Sequence, residues 1–265
     1  MVSVIIPCYN SGAELYEALN SLNRINVEIE VVVVDDGSTN EYTLKILDNI
    51  REKGIKVLKK SNGGPGDARN LGVKNSTGEF LFFLDSDNRV SDRYFDLALE
   101  VFQTFPKVGV VYGKPNFFSE NGSVSTRFET KPFSYDSLMC GNYIDACCFV
   151  RRSTFEEVGG FHVHPHLKGW DDADLWIRIS HTRWEFHFLD EVLFDYRVRE
   201  DSMMGLVDDE NIENMLQYFG KKYGYYYHKK YRQYFRVIDQ IQKNPFLWFL
   251  RILYYKYIKR TPLIK

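Results

Sequence analysis

Apolar residues fall along this chain in two rhythms. Short, largely apolar runs recur at residues 2–6, 30–34, 55–58, 80–84 and 108–112. Between them the apolar positions follow a helical period, as with Leu15, Ala18, Leu19 and Leu22 in 14–22. Helices are likewise predicted over 41–53, 68–75 and 92–105. Strand and helix in strict alternation predict an α/β fold, with a central, mostly parallel sheet, right-handed crossovers and flanking helices. The run Phe80-Leu81-Phe82-Phe83-Leu84 has no polar face, so it belongs in the middle of that sheet. After Lys114 the alternation breaks. Glu120-Asn121-Gly122 predicts a hairpin turn within 115–133. Strands are expected at 145–151, 184–189 and 192–197, with helices at 153–158 and 171–181. From residue 208 onward the pattern is helical, which divides the chain into 1–114, 115–207 and 208–265.

Charge sharpens that last boundary. Residues 217–265 hold 12 of the 34 Lys and Arg but a single acid, Asp239, and 15 of the 42 aromatic residues. An acidic body therefore precedes a basic, aromatic extension. Within the extension, Phe246, Phe249, Leu250, Leu253, Tyr254 and Tyr257 gather on one side at helical spacing, with Lys243, Lys259, Arg260 and Lys265 flanking them. Such a segment suits an anionic membrane surface, with packing against the core or a subunit as the alternative. A net charge of −2 gives no bulk attraction to nucleic acid. Cys8, Cys140, Cys147 and Cys148 form no C-x-x-C pair and read as small buried residues in a reducing compartment. Residues 2–6 are too short for a secretory leader's apolar core, and no run reaches the roughly 18 apolar residues of a membrane span. A cytoplasmic protein, peripheral at the inner face of the membrane, is the expectation.

Chemistry concentrates where strands end. The run at 30–34 leads into Asp35-Asp36, and the run at 80–84 into Asp85-Ser86-Asp87. In a parallel sheet both edges face one side, where open α/β sheets bind ligands. In an extended chain Asp85 and Asp87 share a face. Two hard oxygen donors there suit Mg²⁺ or Mn²⁺, above all with a diphosphate as co-ligand. The plainer alternative is a turn and helix cap at 86–92. The loop Gly63-Gly64-Pro65-Gly66 fails the dinucleotide fingerprint because Arg69 stands where the third glycine belongs. Asp171, Asp172 and Asp174 open a helix, where acids also merely complement the dipole. His162, His164 and His166 alternate as metal ligands do, but Pro165 favours a loop that is structural or lines an acceptor.

Five segments occur in order: Val4-Ile5-Ile6-Pro7-Cys8-Tyr9-Asn10, Val33-Val34-Asp35-Asp36-Gly37-Ser38-Thr39, Asn62-Gly63-Gly64-Pro65-Gly66-Asp67-Ala68-Arg69-Asn70, the stretch from Gly78 to Asp87, and Gly169-Trp170-Asp171-Asp172-Ala173-Asp174-Leu175-Trp176-Ile177-Arg178. Together they resemble the family 2 glycosyltransferases of GT-A fold, over residues 2 to about 202. The resemblance implies a Rossmann-like domain whose first part, 1–114, binds a nucleotide-sugar donor. The second part, 115–207, would bind the acceptor and carry catalysis. Tyr9 would lie on the uracil of a UDP-sugar beside Pro7, with Asp36 accepting from the base. Arg69 would reach base or diphosphate, Asp85 would hold the ribose, Ser86 would belong to the donor site, and Asp87 would hold a divalent metal. Asp172 would be the general base of an inverting transfer, preceded by Asp171 in the family's usual Glu position, and Trp170 would offer a ring face to a sugar. Arg199 stands where the family often has a metal-binding His and would clamp a diphosphate instead. The implied acceptor is a saccharide or lipid-linked saccharide hydroxyl in cell-surface polysaccharide synthesis. Two rivals are a binding module that lost turnover and a sugar-1-phosphate nucleotidyltransferase. The intact Asp87 and Asp172 oppose the first, and the lack of a basic glycine-rich loop after the first strand opposes the second.

Overall fold

The computed structural model describes residues 1–119, 128–167, 169–199 and 208–259. They divide into two compact units, Met1–Ile212 and Glu213–Lys265. The first unit is built on one eight-stranded sheet. Its strands are β1 (Val2–Cys8), β2 (Ile29–Asp35), β3 (Lys56–Lys59), β4 (Phe80–Phe83), β5 (Arg89–Val90), β6 (Val108–Phe118), β7 (Phe149–Arg151) and β8 (Glu185–Arg197). They lie in the order β3-β2-β1-β4-β7-β6-β8-β5. The helices of this unit are α1 (Glu14–Ser21), α2 (Glu41–Glu52), α3 (Pro65–Lys74), α4 (Asp92–Thr104), α5 (Tyr135–Cys140), α6 (Arg152–Glu157) and α7 (Asp171–Ser180).

The first four sheet positions are parallel, as the alternation of apolar runs and helical periods requires. β4 is buried along its whole length, and the Phe82 ring packs 4.5 Å from that of Phe149 and 5.0 Å from that of Phe95. A cluster of this kind resists truncation: Phe82→Ala would cost about 3–5 kcal/mol. On the other side of β4 the sheet departs from the sequence reading. β7 enters antiparallel between β4 and β6, so β6 is not a direct neighbour of the central strand. The strand expected over 145–151 shrinks to three residues because Asp145 accepts from the Cys147 N–H at 2.8 Å and turns the chain. The two strands expected at 184–189 and 192–197 are one, β8, whose register against β6 slips at Tyr112/Lys114 and Lys114/Pro115. Those shifts leave Asp190 and Glu191 as extra residues of β8, unpaired with β6 between the Phe188 and Val192 pairings. Cys140 is exposed, whereas the other three cysteines are buried as expected. The turn at Glu120-Asn121-Gly122 lies outside the described residues.

α8 (Asp209–Lys243) begins in the first unit and runs into the second, which continues with α9 (Pro245–Leu253) and a π-helical turn at Tyr254–Lys259. Pro245 sits at the start of α9, where its missing N–H costs nothing. Along α8, Tyr227, Tyr231, Phe235 and Ile238 stand exposed at three- and four-residue spacing, on one side of the helix. Among the described residues no helix is long and apolar enough to cross a membrane.

Candidate active site

At the carboxyl edge of the parallel strands three loops are laced together. Asn10, at φ 54°, accepts through Oδ1 from the N–H groups of Thr39 and Asn40, both at 2.9 Å. Its own N–H donates to Ser38 Oγ, and the Asp36 N–H donates to the Cys8 carbonyl at 2.8 Å. This binds the β1–α1 loop to the β2–α2 loop. Asp36 then binds the third. Its carboxylate, 3% exposed, accepts from the N–H groups of Gly63 (2.9 Å) and Gly64 (2.8 Å) and from Lys60 Nζ (2.7 Å). A carboxylate offers about four acceptor positions, so one remains for a ligand N–H. Lys60 also pairs with Asp67 at 2.8 Å. Beside this lacing Tyr9 stands half exposed, with its ring face available, while Pro7 is buried within β1 opposite Val34.

Past β4 the chain does not stay extended. The Asn88 N–H donates to the Asp85 carbonyl at 3.0 Å, so Asp85–Asn88 is a turn and the side chains of Asp85 and Asp87 meet different partners. Asp85 Oδ1 receives Arg69 Nη2 at 2.6 Å, and Arg69 Nη1 reaches Asp171 Oδ2 at 3.3 Å. Arg69 is thus a buried cation bridging the end of β4 to the start of α7, its guanidinium 5.3 Å from the Phe161 ring. In this arrangement it reaches those two carboxylates, where the resemblance implied base or diphosphate. Gly66 belongs to the same contact, since a Cβ there would fall 2.6 Å from Asp171 Oδ2. Ser86 is buried, its Oγ 2.5 Å from Ser11 Oγ.

Asp87 meets other arginines. Arg199 Nη2 stands 3.6 Å from its Oδ2 and Nη1 3.3 Å from Glu14 Oε1. Arg197 donates through Nε to the Asp87 carbonyl and through its N–H to Asn88 Oδ1, at 3.0 and 2.9 Å. Even so, burial and the charge of Asp85 push the Asp87 carboxyl up to about 6, against the opposing pull of Arg199 and Arg197. Among the described residues no three His, Cys, Asp or Glu side chains form a ready cation cage. One or two carboxylates completed by substrate phosphates is, however, the usual way Mg²⁺ is held, and Asp87 with Asp85 beside it fits that pattern.

The opening turn of α7 supplies the second half of the site. Asp172 Oδ2 accepts from Asn142 Nδ2 at 2.8 Å and Oδ1 from the Ala173 N–H at 2.7 Å. Burial, then the charges of Asp171 and Asp145, push its carboxyl well above the ordinary range, with Arg69 opposing. Asp174 points away and is structural: fully buried, it receives Arg178 Nε at 2.7 Å and lies 3.2 Å from His162 Nδ1. Trp170 is partly buried, and its Nε1 has no hydrogen-bond partner among the described residues. His166 donates its N–H to His164 Nδ1 within the loop.

Sequence reasoning missed Asp145, Asn142 and Lys60. Burial and Asp85 push the Asp145 carboxyl up to about 7, opposed by the Cys147 N–H and Arg69. Nothing in Ile144-Asp145-Ala146 marks it as chemical. Only the antiparallel entry of β7 puts the residues before that strand at the same edge as Asp85.

Comparison with known proteins bears on the family and the fold. The family model described as "Glycosyl transferase family 2" matches residues 3–159. The chain is 46% identical over 95 residues to the poly(ribitol-phosphate) beta-N-acetylglucosaminyltransferase TarS of Staphylococcus aureus, covering 34% of this chain and 16% of TarS. It is 28% identical over 216 residues to the minor teichoic acid biosynthesis protein GgaB of Bacillus subtilis, covering 75% of this chain and 23% of GgaB. The chain thus spans about a quarter or less of these relatives. Residues 1–349 of S. aureus TarS in complex with UDP-GlcNAc superpose with a TM-score of 0.64 at 26% identity, covering 81% of this chain and 64% of that one.

Proposed function

Since the chain belongs to glycosyl transferase family 2, we propose that it is an inverting glycosyltransferase that moves a sugar from a UDP-linked donor to a saccharide or lipid-linked saccharide hydroxyl, in cell-surface polysaccharide synthesis. The observation that carries this reading is the Arg69 bridge. By holding Asp85 and Asp171 on one guanidinium, it sets Asp172 beside the donor edge of the sheet. UDP-N-acetylglucosamine is the first donor to test, because TarS was seen with it.

In this mechanism the half-exposed Tyr9 ring carries the uracil and the remaining acceptor position of Asp36 takes an N–H of the base. Asp85 and Ser86 border the ribose. Asp87, assisted by Asp85, would hold a divalent Mg²⁺ or Mn²⁺, which supplies positive charge against the departing diphosphate. Arg199 adds a fixed cation at the same place. Asp172 takes the proton of the acceptor hydroxyl. The freed oxygen forms the new bond to the anomeric carbon from the face opposite the diphosphate, whose bond breaks with its electron pair leaving on UDP. A carboxylate with a raised pKa is a stronger base than an ordinary one and remains ionised above that pKa. Trp170 and Asp171 flank the acceptor side.

The exposed aromatic faces of α8 and α9, in residues 217–265 with their single acid, favour an anionic leaflet as the working surface. The test of the catalytic reading is a panel of nucleotide sugars with Mn²⁺ present, scored for UDP release by the native chain and by Asp172→Asn. One donor should be turned over by the native chain and about a hundredfold more slowly by the variant, with UDP binding retained. Equal rates would remove Asp172 as the base.

A further inference from the structure

The α5–β7 loop carries a side chain built to hold Asp172. Asn142 accepts from the Ile144 N–H through Oδ1 at 3.2 Å, which fixes which end of the amide faces which way. Its Nδ2 is thereby aimed at Asp172 Oδ2, 2.8 Å away. The loop is pinned on both sides of this contact. Trp176 of α7, fully buried, donates through Nε1 to the Ile144 carbonyl at 2.9 Å, and Tyr143 exchanges hydrogen bonds with the backbone of Ser134. Loop and helix therefore move as one piece, and the amide keeps its aim.

We propose that Asn142 is a positioning residue that holds the Asp172 carboxylate in its ionised form and in its reactive orientation. The proposal rests on the reading of Asp172 as general base. Asp171 and Asp145 disfavour its charge, Arg69 favours it but is engaged with Asp85 and Asp171, and the Cys148 thiol and the Tyr196 phenol also stand within its electrostatic reach. Asn142 supplies a neutral side-chain donor to Asp172 itself, joined by the Ala173 backbone N–H. An amide donor bonds to a carboxylate and has no comparable bond to give to the protonated acid, so losing it makes the proton harder to remove.

The test uses the full chain with Asn142→Ala and the isosteric Asn142→Asp, each with aspartate carboxyl carbons labelled for NMR. The Asp172 resonance is assigned by its loss in Asp172→Asn. The expected result is an upward shift of the Asp172 titration by about one pH unit in Asn142→Ala, since one unit reflects a typical charge-assisted bond. A larger shift is expected in Asn142→Asp, which adds a like charge. UDP affinity by calorimetry should stay at the native value, and the acid limb of kcat/KM for the donor found above should move with the NMR titration. An Asp172 titration unchanged in both variants overturns the proposal whatever the activity data say. If the titration shifts but Asp172→Asn still transfers sugar, the positioning contact stands and the catalytic reading falls. Should either variant melt early, the other, read at a temperature below its transition, gives the same measurement.

Discussion

Replacing Arg69 by methionine is the perturbation for which the structure gives the clearest magnitude. The arginine side chain is 5% exposed and holds Asp85, 30% exposed, and Asp171, 11% exposed, at 2.6 and 3.3 Å. Methionine fills the volume of the stem, so the cavity contribution is small. What is lost is the cation, and two carboxylates, with Asp172 and Asp145 near them, are left without a counter-charge. Removing one partner of a buried ion pair costs about 3–5 kcal/mol. Because Asp85 keeps some contact with water, the lower end applies, about 3 kcal/mol. Asp171→Asn added to Arg69→Met removes one stranded charge and should restore about 1–2 kcal/mol of that. The assay is the urea midpoint of the native chain, the single and the double variant at pH 8 and pH 5.5. The pH arm follows from the direction of the shifts. Burial raises the Asp171 carboxyl above its ordinary value and Arg69 opposes this, so in Arg69→Met the folded-state pKa rises further above the unfolded one. Such a group binds more protons folded than unfolded, and its penalty fades as pH falls through the raised value. The difference between native and variant should therefore be large at pH 8 and narrower at pH 5.5. A loss under about 1 kcal/mol at pH 8, or a difference that widens in acid, would refute the account of Arg69 as a charge bridge.

Asp87→Ala should abolish turnover and reduce UDP affinity measured with Mn²⁺ toward that measured without metal; calorimetry showing no metal effect in the native chain would sink the metal role. Tyr9→Ala should weaken UDP binding by roughly tenfold, the effect of losing one base–aromatic stack of about 1–3 kcal/mol, without moving the melting temperature. A chain ending at Asn244 should hydrolyse free donor normally yet no longer sediment with anionic vesicles, and native binding should weaken steeply with salt. Loss of donor hydrolysis on that truncation would make α9 part of the catalytic body.

The parts of this fold that were readable from the chain share a cause. β4 has no polar face because both of its faces are covered, and β2 ends in acid because its carboxyl end is where the sheet stops. Both facts are local, so a run of residues carries them. Asp36, Asp85 and Asp87 are on the same edge for that reason, whereas Asp172, at the start of α7, reaches it through the Arg69 bridge. Asp145 was hidden because its place depends on the direction of β7, a three-residue strand with no signal of direction in its own composition. The engagement of Arg69 was not legible, since two carboxylates 86 positions apart in sequence converge on it only through packing. β8 read as two strands because Asp190 and Glu191 break the apolar pattern, and the register shifts accommodate them as extra residues.

The lacing of three loops by Asn10 and Asp36 bears on how such a protein changes its nucleotide. Those two side chains hold four backbone N–H groups, one pair on the β2–α2 loop and one on the glycine loop. An inserted or deleted residue in either loop would unseat a pair of them at once, so loop length is not open to tinkering here. Diversification at this end of the molecule is left to substitutions at surface-facing positions, Tyr9 foremost. A library aimed at a new base would do best to vary side chains around Tyr9 and leave every loop at its present length.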